Sequence, residues 1–205
     1  MDWSAFGPLI LPYATTCSAP LMEQHARLAA IEFFEHTKAW QVDLNAIVAD
    51  GIETSFSMVP PDDAQIEKII AVSVTDANGN VDHASVLRDD GRTTRRRSDL
   101  VAYTPDRIEL VLQPLQRDGT SIVVTAALKP TLLAETLPDA LFNQYGQHIA
   151  QGALSSLTSM AEKPWTDATV ARISAAKFIN AKAVTARKVE RGMAKSQRPP
   201  ATRWF

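Results

Sequence analysis

The sequence predicts an α+β protein in which a small antiparallel β-sandwich or barrel is inserted into a helical body that ends in an extended C-terminal arm. Apolar residues recur at helical spacing near the start of the chain and again after Pro138. Between these segments lie short β-branched runs separated by turn sequences. A chain of 205 residues buries enough surface to fold without cross-links, and its single cysteine, Cys17, excludes an internal disulfide.

The first element is an arm followed by a helix. Residues 1–19 contain Gly7, Pro8 and Pro12, and we predict an ordered arm over the surface of the protein. Pro20 suits a first helical turn, and a helix is predicted over residues 21–40. Its predicted buried stripe consists of Leu21, Leu28, Ile31 or Ala30, Phe34 and Trp40.

The β-region follows at once. Alternation over residues 44–56 is followed by β-branched runs at 66–74, 81–87, 107–112 and 120–128. Turn sequences with Asn-Gly or Asp-Gly separate the runs, at Asn78-Gly79, Asp90-Gly91 and Asp118-Gly119. Five or six short strands at such intervals indicate an antiparallel sandwich or barrel.

Two long helices close the chain. The first is predicted over residues 138–163, where Pro164 stops it, and the second over 168–194, with a cap in the sequence Thr166-Asp167-Ala168-Thr169. The stripe of the first consists of Leu141, Tyr145, Ile149, Ala153, Leu157 and Met160. The predicted units are therefore 1–43 (arm and first helix), 44–132 (inserted β-domain), 133–194 (two long helices) and 195–205 (extended tail).

The sequence lacks the motifs of common enzymes and cofactor sites. It contains no phosphate-binding loop, dinucleotide fingerprint, nucleophile elbow, H-E-x-x-H or C-x-x-C sequence. The four histidines, His25, His36, His83 and His148, have no metal-ligand spacing. The carboxylate pairs Asp62/Asp63 and Asp89/Asp90 are typical of turns. We therefore expect no enzymatic activity, no cofactor and no metal, and neither a secretory signal nor a membrane span.

Charge is distributed unevenly along the chain. Residues 1–164 hold twelve basic and 21 acidic side chains, whereas residues 165–205 hold nine basic and two acidic ones. A near-neutral protein is thus an acidic body joined to a basic arm, which indicates that the arm docks on another molecule.

Two basic clusters are candidate binding sites. The first cluster follows Asp89-Asp90-Gly91 in a strand connection and consists of Arg92, Arg95, Arg96 and Arg97. One interpretation is a binding site for DNA or for a neighbouring subunit. The other is a solvated hairpin. The tail from residue 195 extends to at most about 35 Å. It carries a proline-stiffened aromatic end, whose predicted docking residues are Arg198, Pro199, Pro200, Arg203, Trp204 and Phe205.

The chain resembles the head-to-tail adaptor (connector) proteins of tailed bacteriophages, particularly the short-tailed ones. The residues that carry the resemblance are Trp3-Ser4-Ala5-Phe6-Gly7-Pro8-Leu9-Ile10-Leu11-Pro12, Cys17-Ser18-Ala19-Pro20-Leu21, Ala29-Ala30-Ile31-Glu32-Phe33-Phe34-Glu35-His36-Thr37-Lys38-Ala39-Trp40, Lys163-Pro164-Trp165-Thr166-Asp167 and the basic aromatic tail. The central β-region matches only in character.

That resemblance implies a structural protein of the virion neck. Members of the adaptor family form a ring, usually of twelve copies, beneath the portal protein and above the tail or nozzle protein. The ring lines the channel through which DNA leaves. The resemblance implies that the C-terminal tail docks on the portal and that the long helices form subunit contacts. The alternative is a nucleic-acid-binding protein that uses the basic C-terminal helix and Arg95–Arg97.

Overall fold

The computed structural model describes residues 1–86 and 100–192, and it confirms the α+β class. The described helices are a 3-10 helix at Trp3–Phe6 and the α-helices α1 (Gly7–Ile10), α2 (Ala19–Thr37), α3 (Asp139–Thr158) and α4 (Ala168–Arg191). The described strands are β1 (Gln41–Asp43), β2 (Ile47–Val48), β3 (Ser55–Ser57), β4 (Ala64–Thr75), β5 (Val81–His83), β6 (Ser85–Val86), β7 (Val101–Tyr103), β8 (Glu109–Gln113) and β9 (Ser121–Pro130).

The strands form two sheets. In the larger sheet the order is β1-β9-β4-β5, and β2 joins β9 on the edge that also holds β1. The smaller sheet has the order β3-β8-β7-β6. The expectation of antiparallel pairing throughout was wrong at β6 and β7, which pair in parallel. The connection 87–100 is long enough for the crossover that parallel neighbours need.

The helices pack against one end of the larger sheet. Helix α2 contacts β9, α3 and α4, and α3 packs along α4. A single apolar core includes side chains from both sheets and from these helices. Leu128 and Trp40 join the helical part to the sheet, since the Leu128 N–H donates to the Trp40 carbonyl at 2.7 Å. The helices are therefore attached to the end of β9 that carries Pro130.

The N-terminal segment is ordered, but its predicted course over the surface was wrong. Trp3, Phe6 and Ile10 are almost fully buried. The Trp3 indole N–H donates to the Ala134 carbonyl at 2.8 Å, so its polar atom is satisfied inside the core. Apolar side chains of this size are more stable in the core than in water, which outweighs the turn-forming character of the segment.

The predicted stripe of α2 was partly wrong. Leu28 is 43% exposed, and Trp40 lies beyond the helix, which ends at Thr37. The buried face consists of Met22, Ala26, Ala29, Ala30, Phe33, Phe34 and Thr37. Small alanines occupy positions where α3 and α4 approach closely, and a pattern of large apolar residues does not reveal them.

Helix α3 follows its predicted stripe more closely. Ile149, Ala153 and Leu157 are buried, and Leu141, Tyr145 and Met160 are half-buried against the core. The helix ends at Thr158, before the predicted end at residue 163. The buried Thr158 hydroxyl donates to the Leu154 carbonyl in the last turn.

Candidate functional site

The two docking clusters predicted from the sequence lie outside the described residues. Arg92, Arg95, Arg96 and Arg97 belong to the range 87–99, and Arg198, Pro199, Pro200, Arg203, Trp204 and Phe205 belong to 193–205. Helix α4 leads directly into the second range, and its surface is therefore the candidate functional site within the described chain.

Helix α4 begins at a capped turn. The Asp167 carboxylate accepts hydrogen bonds from the backbone N–H groups of Thr169 at 2.8 Å and Val170 at 3.0 Å. These bonds satisfy two of the donors that a helix N-terminus leaves unpaired. The predicted cap is thus confirmed, and the start of α4 is fixed at Ala168.

The helix ends at Gly192 in a backbone conformation that only glycine adopts readily. Gly192 has φ 65° and ψ 176°, whereas Lys188 and Arg191 still lie in the last helical turn. A side chain at this position would clash with its own backbone. The helix therefore ends at Gly192, which is exposed.

The buried face of α4 is built from small residues around one aromatic ring. Ala171, Ser174, Phe178, Ala181 and Thr185 form this face. The Phe178 ring reaches α2, with its centroid 6.2 Å from that of Phe33. A Cβ added to Gly152 of α3 would lie 2.9 Å from the Phe178 ring, so glycine permits the close approach of α3 and α4.

The outer face of α4 combines exposed apolar and basic side chains. Large apolar residues lie on this face, since Ile173, Ile179 and Val184 are 48%, 61% and 41% exposed. The basic members are Arg172, Lys177, Arg187, Lys188 and Arg191, and Glu190 is the acidic member among the described residues. We call these nine residues the α4 outer face. It has the composition of a surface that a partner covers.

A groove of about 610 Å³ lies beside this face, between α3 and α4. Small and apolar side chains form much of its wall, including Gly152, Ala171, Ala175 and Phe178. Arg172 and Ile179 line it as well, so the groove opens onto the α4 outer face. Its lining thus combines apolar side chains with the Arg172 cation and the Glu32 carboxylate.

An ion cluster joins the helices to the sheet. The ammonium group of Lys129 on β9, a buried residue, lies 2.8 Å from the Glu67 carboxylate on β4 and 2.9 Å from Glu35 on α2. Lys38 and Arg107 bind the same Glu67 carboxylate at 2.9 and 3.2 Å. Each charged group in this cluster has an opposite partner, so its burial is compensated.

The ionised forms are favoured in this cluster. Burial pushes the pKa of Glu67 upward, but hydrogen bonds and charges from Lys129 and Lys38 outweigh it, and the pKa lies below its ordinary value. Burial likewise opposes the charge of Lys129, yet Glu67 and Glu35 hold its pKa above the ordinary value. Glu67 and Lys129 therefore stay ionised at neutral pH, and the ion pair of Lys129 with Glu35 connects α2 to the sheet.

The weaker candidates have structural partners or lie apart. The ring of His25 is hydrogen-bonded to the Ser156 hydroxyl at 2.8 Å, and burial lowers its pKa. Cys17 is buried, and burial raises the pKa of its thiol. The Asp63 carboxylate accepts hydrogen bonds from the N–H and hydroxyl of Thr136, which holds a turn in place. Asp89 and Asp90 lie outside the described residues.

Within residues 1–86 and 100–192, no group of three histidine, cysteine or acidic side chains is arranged to hold a metal ion. The helices in these ranges are also too short or too polar to cross a bilayer. No protein-family model and no curated protein sequence matches this chain.

Proposed function

We propose that this protein is a structural adaptor of a bacteriophage neck, with no catalytic activity of its own. Copies of the chain form a ring, usually of twelve, that joins the portal protein to the tail or nozzle protein and lines the DNA exit channel. In this proposal the chain is a helical bundle body with an inserted β-sandwich and an extended C-terminal arm. Its location is the portal vertex of the virion, after assembly in the host cytoplasm.

One observation carries the proposal: α4 ends at an exposed glycine, Gly192, whose backbone conformation does not continue the helix. The sequence after it contains Pro199, Pro200 and the terminal pair Trp204 and Phe205. Prolines lower the entropy lost on docking, and aromatic side chains dominate the energetics of interfaces. In this proposal the tail that follows α4 is the docking arm by which the adaptor binds the portal.

Two further features support a ring around DNA. The acidic excess of residues 1–164 repels phosphate, so DNA slides past the ring with little adhesion. The exposed apolar and basic residues of the α4 outer face support a role in subunit contacts. A head-to-tail contact repeated about an axis closes into a ring.

The experiment is removal of residues 198–205 from the full chain. We expect the truncated protein to lose portal binding, measured by co-sedimentation with assembled portal, while its circular dichroism spectrum and unfolding midpoint stay unchanged. A matched control is Leu133→Ala, which removes an apolar side chain that is 85% exposed in the β9–α3 connection. Undiminished portal binding by the truncated protein would contradict the proposal.

The second candidate function is nucleic-acid binding, which the five cations of the α4 outer face favour. It predicts that the logarithm of the binding constant for duplex DNA falls linearly with the logarithm of salt concentration, with a slope of about 0.9 per phosphate contacted. The adaptor proposal predicts weak DNA binding and portal binding that depends on the tail. Measuring both affinities over a salt series separates the two functions.

A further inference from the structure

A second exposed apolar surface lies at the far end of the larger sheet. Val48 pairs with Ser121, and Ser121 pairs with Thr75, so the ends of β2, β9 and β4 lie side by side. The loops that follow β2 and precede β9 contact each other, since the Gly119 N–H donates to the Ala49 carbonyl at 3.0 Å. The ends of these strands and the two loops form one continuous surface.

This surface is apolar and acidic. Val48, Ile52 and Leu115 are 66%, 81% and 47% exposed. The acidic side chains beside them, all exposed, are Asp50, Glu53 and Asp118, and the basic one is Arg117. We call these seven residues the tip surface. Ile52 is the most exposed large apolar residue in it, and such a side chain is stabilised when a partner covers it.

The tip surface complements the α4 outer face in charge. The tip surface has three carboxylates and one cation, whereas the α4 outer face has five cations and one carboxylate. Both surfaces also carry three exposed large apolar side chains. The groove between α3 and α4 adds a concave surface of about 610 Å³ beside Arg172 and Ile179. Opposite charge around apolar contacts favours association and fixes its orientation.

The two surfaces do not cover each other within one chain, since the members of both are exposed. Strand β9 extends from Ser121 at the tip surface to Pro130, a distance of about 30 Å at ~3.3 Å per residue. Its distal end is fixed to α2 by the ion pair between Lys129 and Glu35. Helix α4 packs on α2 and α3. A second copy of this chain carries the complementary surface, and the opposite charges favour that copy as the partner.

We propose that the tip surface of one copy docks on the α4 outer face of a second copy. In this contact Ile52 enters the groove beside Ile179, and the carboxylate of Glu53 faces Arg172. The interface is heterologous, so an open chain of copies always has one unoccupied tip surface at one end and one unoccupied α4 outer face at the other. Closure of such a chain into a ring rests on the proposed function, whereas the pairwise contact does not depend on portal binding.

The contact is tested by cysteine cross-linking in the full chain. Ile52→Cys and Ile179→Cys are prepared as separate variants, mixed under mild oxidation at low salt, and analysed by non-reducing electrophoresis and peptide mass spectrometry. The native Cys17 is 7% exposed and is followed in the unmodified protein as a background. We expect the 52–179 disulfide to form about tenfold faster than the 52–52 or 179–179 disulfide, because proximity raises the effective concentration.

A matched control places the cysteine on a different exposed residue. Val59→Cys replaces a side chain that is 71% exposed and follows β3 of the smaller sheet. Mixing this variant with Ile179→Cys gives the rate of random collision. Equal rates for the 52–179 and 59–179 disulfides would overturn the proposal, and dominant 52–52 or 179–179 disulfides would overturn its head-to-tail geometry.

Charge exchange tests the electrostatic part. Glu53→Lys in the Ile52→Cys chain is expected to slow the 52–179 disulfide severalfold, and Arg172→Glu in the partner chain is expected to restore the rate. Asp62→Lys makes the same charge change at the other end of β4 and is expected to leave the rate unchanged. An unchanged rate with Glu53→Lys would refute the pairing. A protein that forms no 52–179 disulfide, and that loses duplex DNA binding on Arg172→Glu, would also refute the pairing, because Arg172 would then serve DNA binding.

This result is separable from the test of the tail. A chain that lacks residues 198–205 but still forms the 52–179 disulfide retains the contact between copies and loses only portal docking. A full-length chain that binds the portal without forming the disulfide retains the proposed function and excludes this interface.

Discussion

Gly152 lies where α2, α3 and α4 come closest, and replacing it with alanine measures how tightly α4 is held. The added Cβ would lie 2.9 Å from the Cβ of Ala29 and from two ring carbons of Phe178. Both neighbours are buried, so neither can move aside without displacing other core atoms. The substitution therefore forces α3 away from both α2 and α4.

The magnitude follows from two opposing effects. Alanine stabilises a helix interior by roughly 1 kcal/mol relative to glycine. Overpacking of a dense core costs about 1–3 kcal/mol, and contacts at three atoms place Gly152→Ala at the upper end of that range. We expect a net loss of about 2 kcal/mol in the free energy of unfolding. For a chain of this size, each kcal/mol lowers the melting temperature by about 2–4 °C.

The assay is equilibrium unfolding in urea, with Gly146→Ala as the matched control on the same helix. At Gly146 an added Cβ would lie 3.3 Å from the ring of Phe142, which is half-buried and one turn away on α3. That ring can rotate, so the gain in helix propensity, up to about 1 kcal/mol, is expected to dominate. If Gly152→Ala proves as stable as Gly146→Ala, the close packing of α4 inferred from the distances is wrong.

Two further predictions concern the ion cluster and the α4 cap. Because the pKa of Glu67 is lower in the folded than in the unfolded chain, its contribution to stability is present above the unfolded pKa and is lost as pH falls through the folded pKa. Glu67→Gln is therefore expected to reduce the loss of stability between neutral and acidic pH, measured as unfolding midpoints over a pH series; an unchanged acid dependence would contradict this. Asp167→Ala is expected to cost about 1 kcal/mol in urea unfolding, since two backbone donors lose their acceptor, whereas Asp167→Asn should retain most of that stability. Equal stability of these two variants would show that the cap contributes nothing.

The sequence predicts the order of the elements because local chemistry dictates their boundaries. Pro20 lies in the first turn of α2, and Asp167 caps α4, each as its residue type favours. The long strand predicted at residues 66–74 is observed as β4, because its β-branched run suits a pleated, half-buried surface.

Tertiary packing accounts for what the sequence could not predict. Trp3 and Phe6 are core residues within a segment rich in turn formers, so their burial depends on distant elements such as Ala134. The buried face of α4 consists largely of small residues such as Ala171 and Ala181. These residues are buried because Gly152 of α3 permits close helix packing. Such small residues do not stand out in a helical pattern, because large apolar residues dominate it.

The candidate site is likewise predictable from the sequence only in part. That α4 is basic was evident from the sequence, but the exposure of Ile179 in a groove that Arg172 also lines was not. The sequence does not predict the tip surface, because its members come from separate loops. An exposed Ile52 next to an acidic turn was a local signal, yet only the pairing of β2 with β9 brings the neighbouring Gly51 beside Asp118.

Strand β9 has a mechanical consequence for the whole protein. It is flanked by β4 on one edge and by β1 and β2 on the other, so ladders of hydrogen bonds run along both of its sides. Antiparallel ladder bonds stand perpendicular to the strands, and a pull along β9 therefore strains many of them at once in shear. Tension applied at the loops of the sheet is therefore distributed across the hydrogen bonds of both ladders before it reaches the helices.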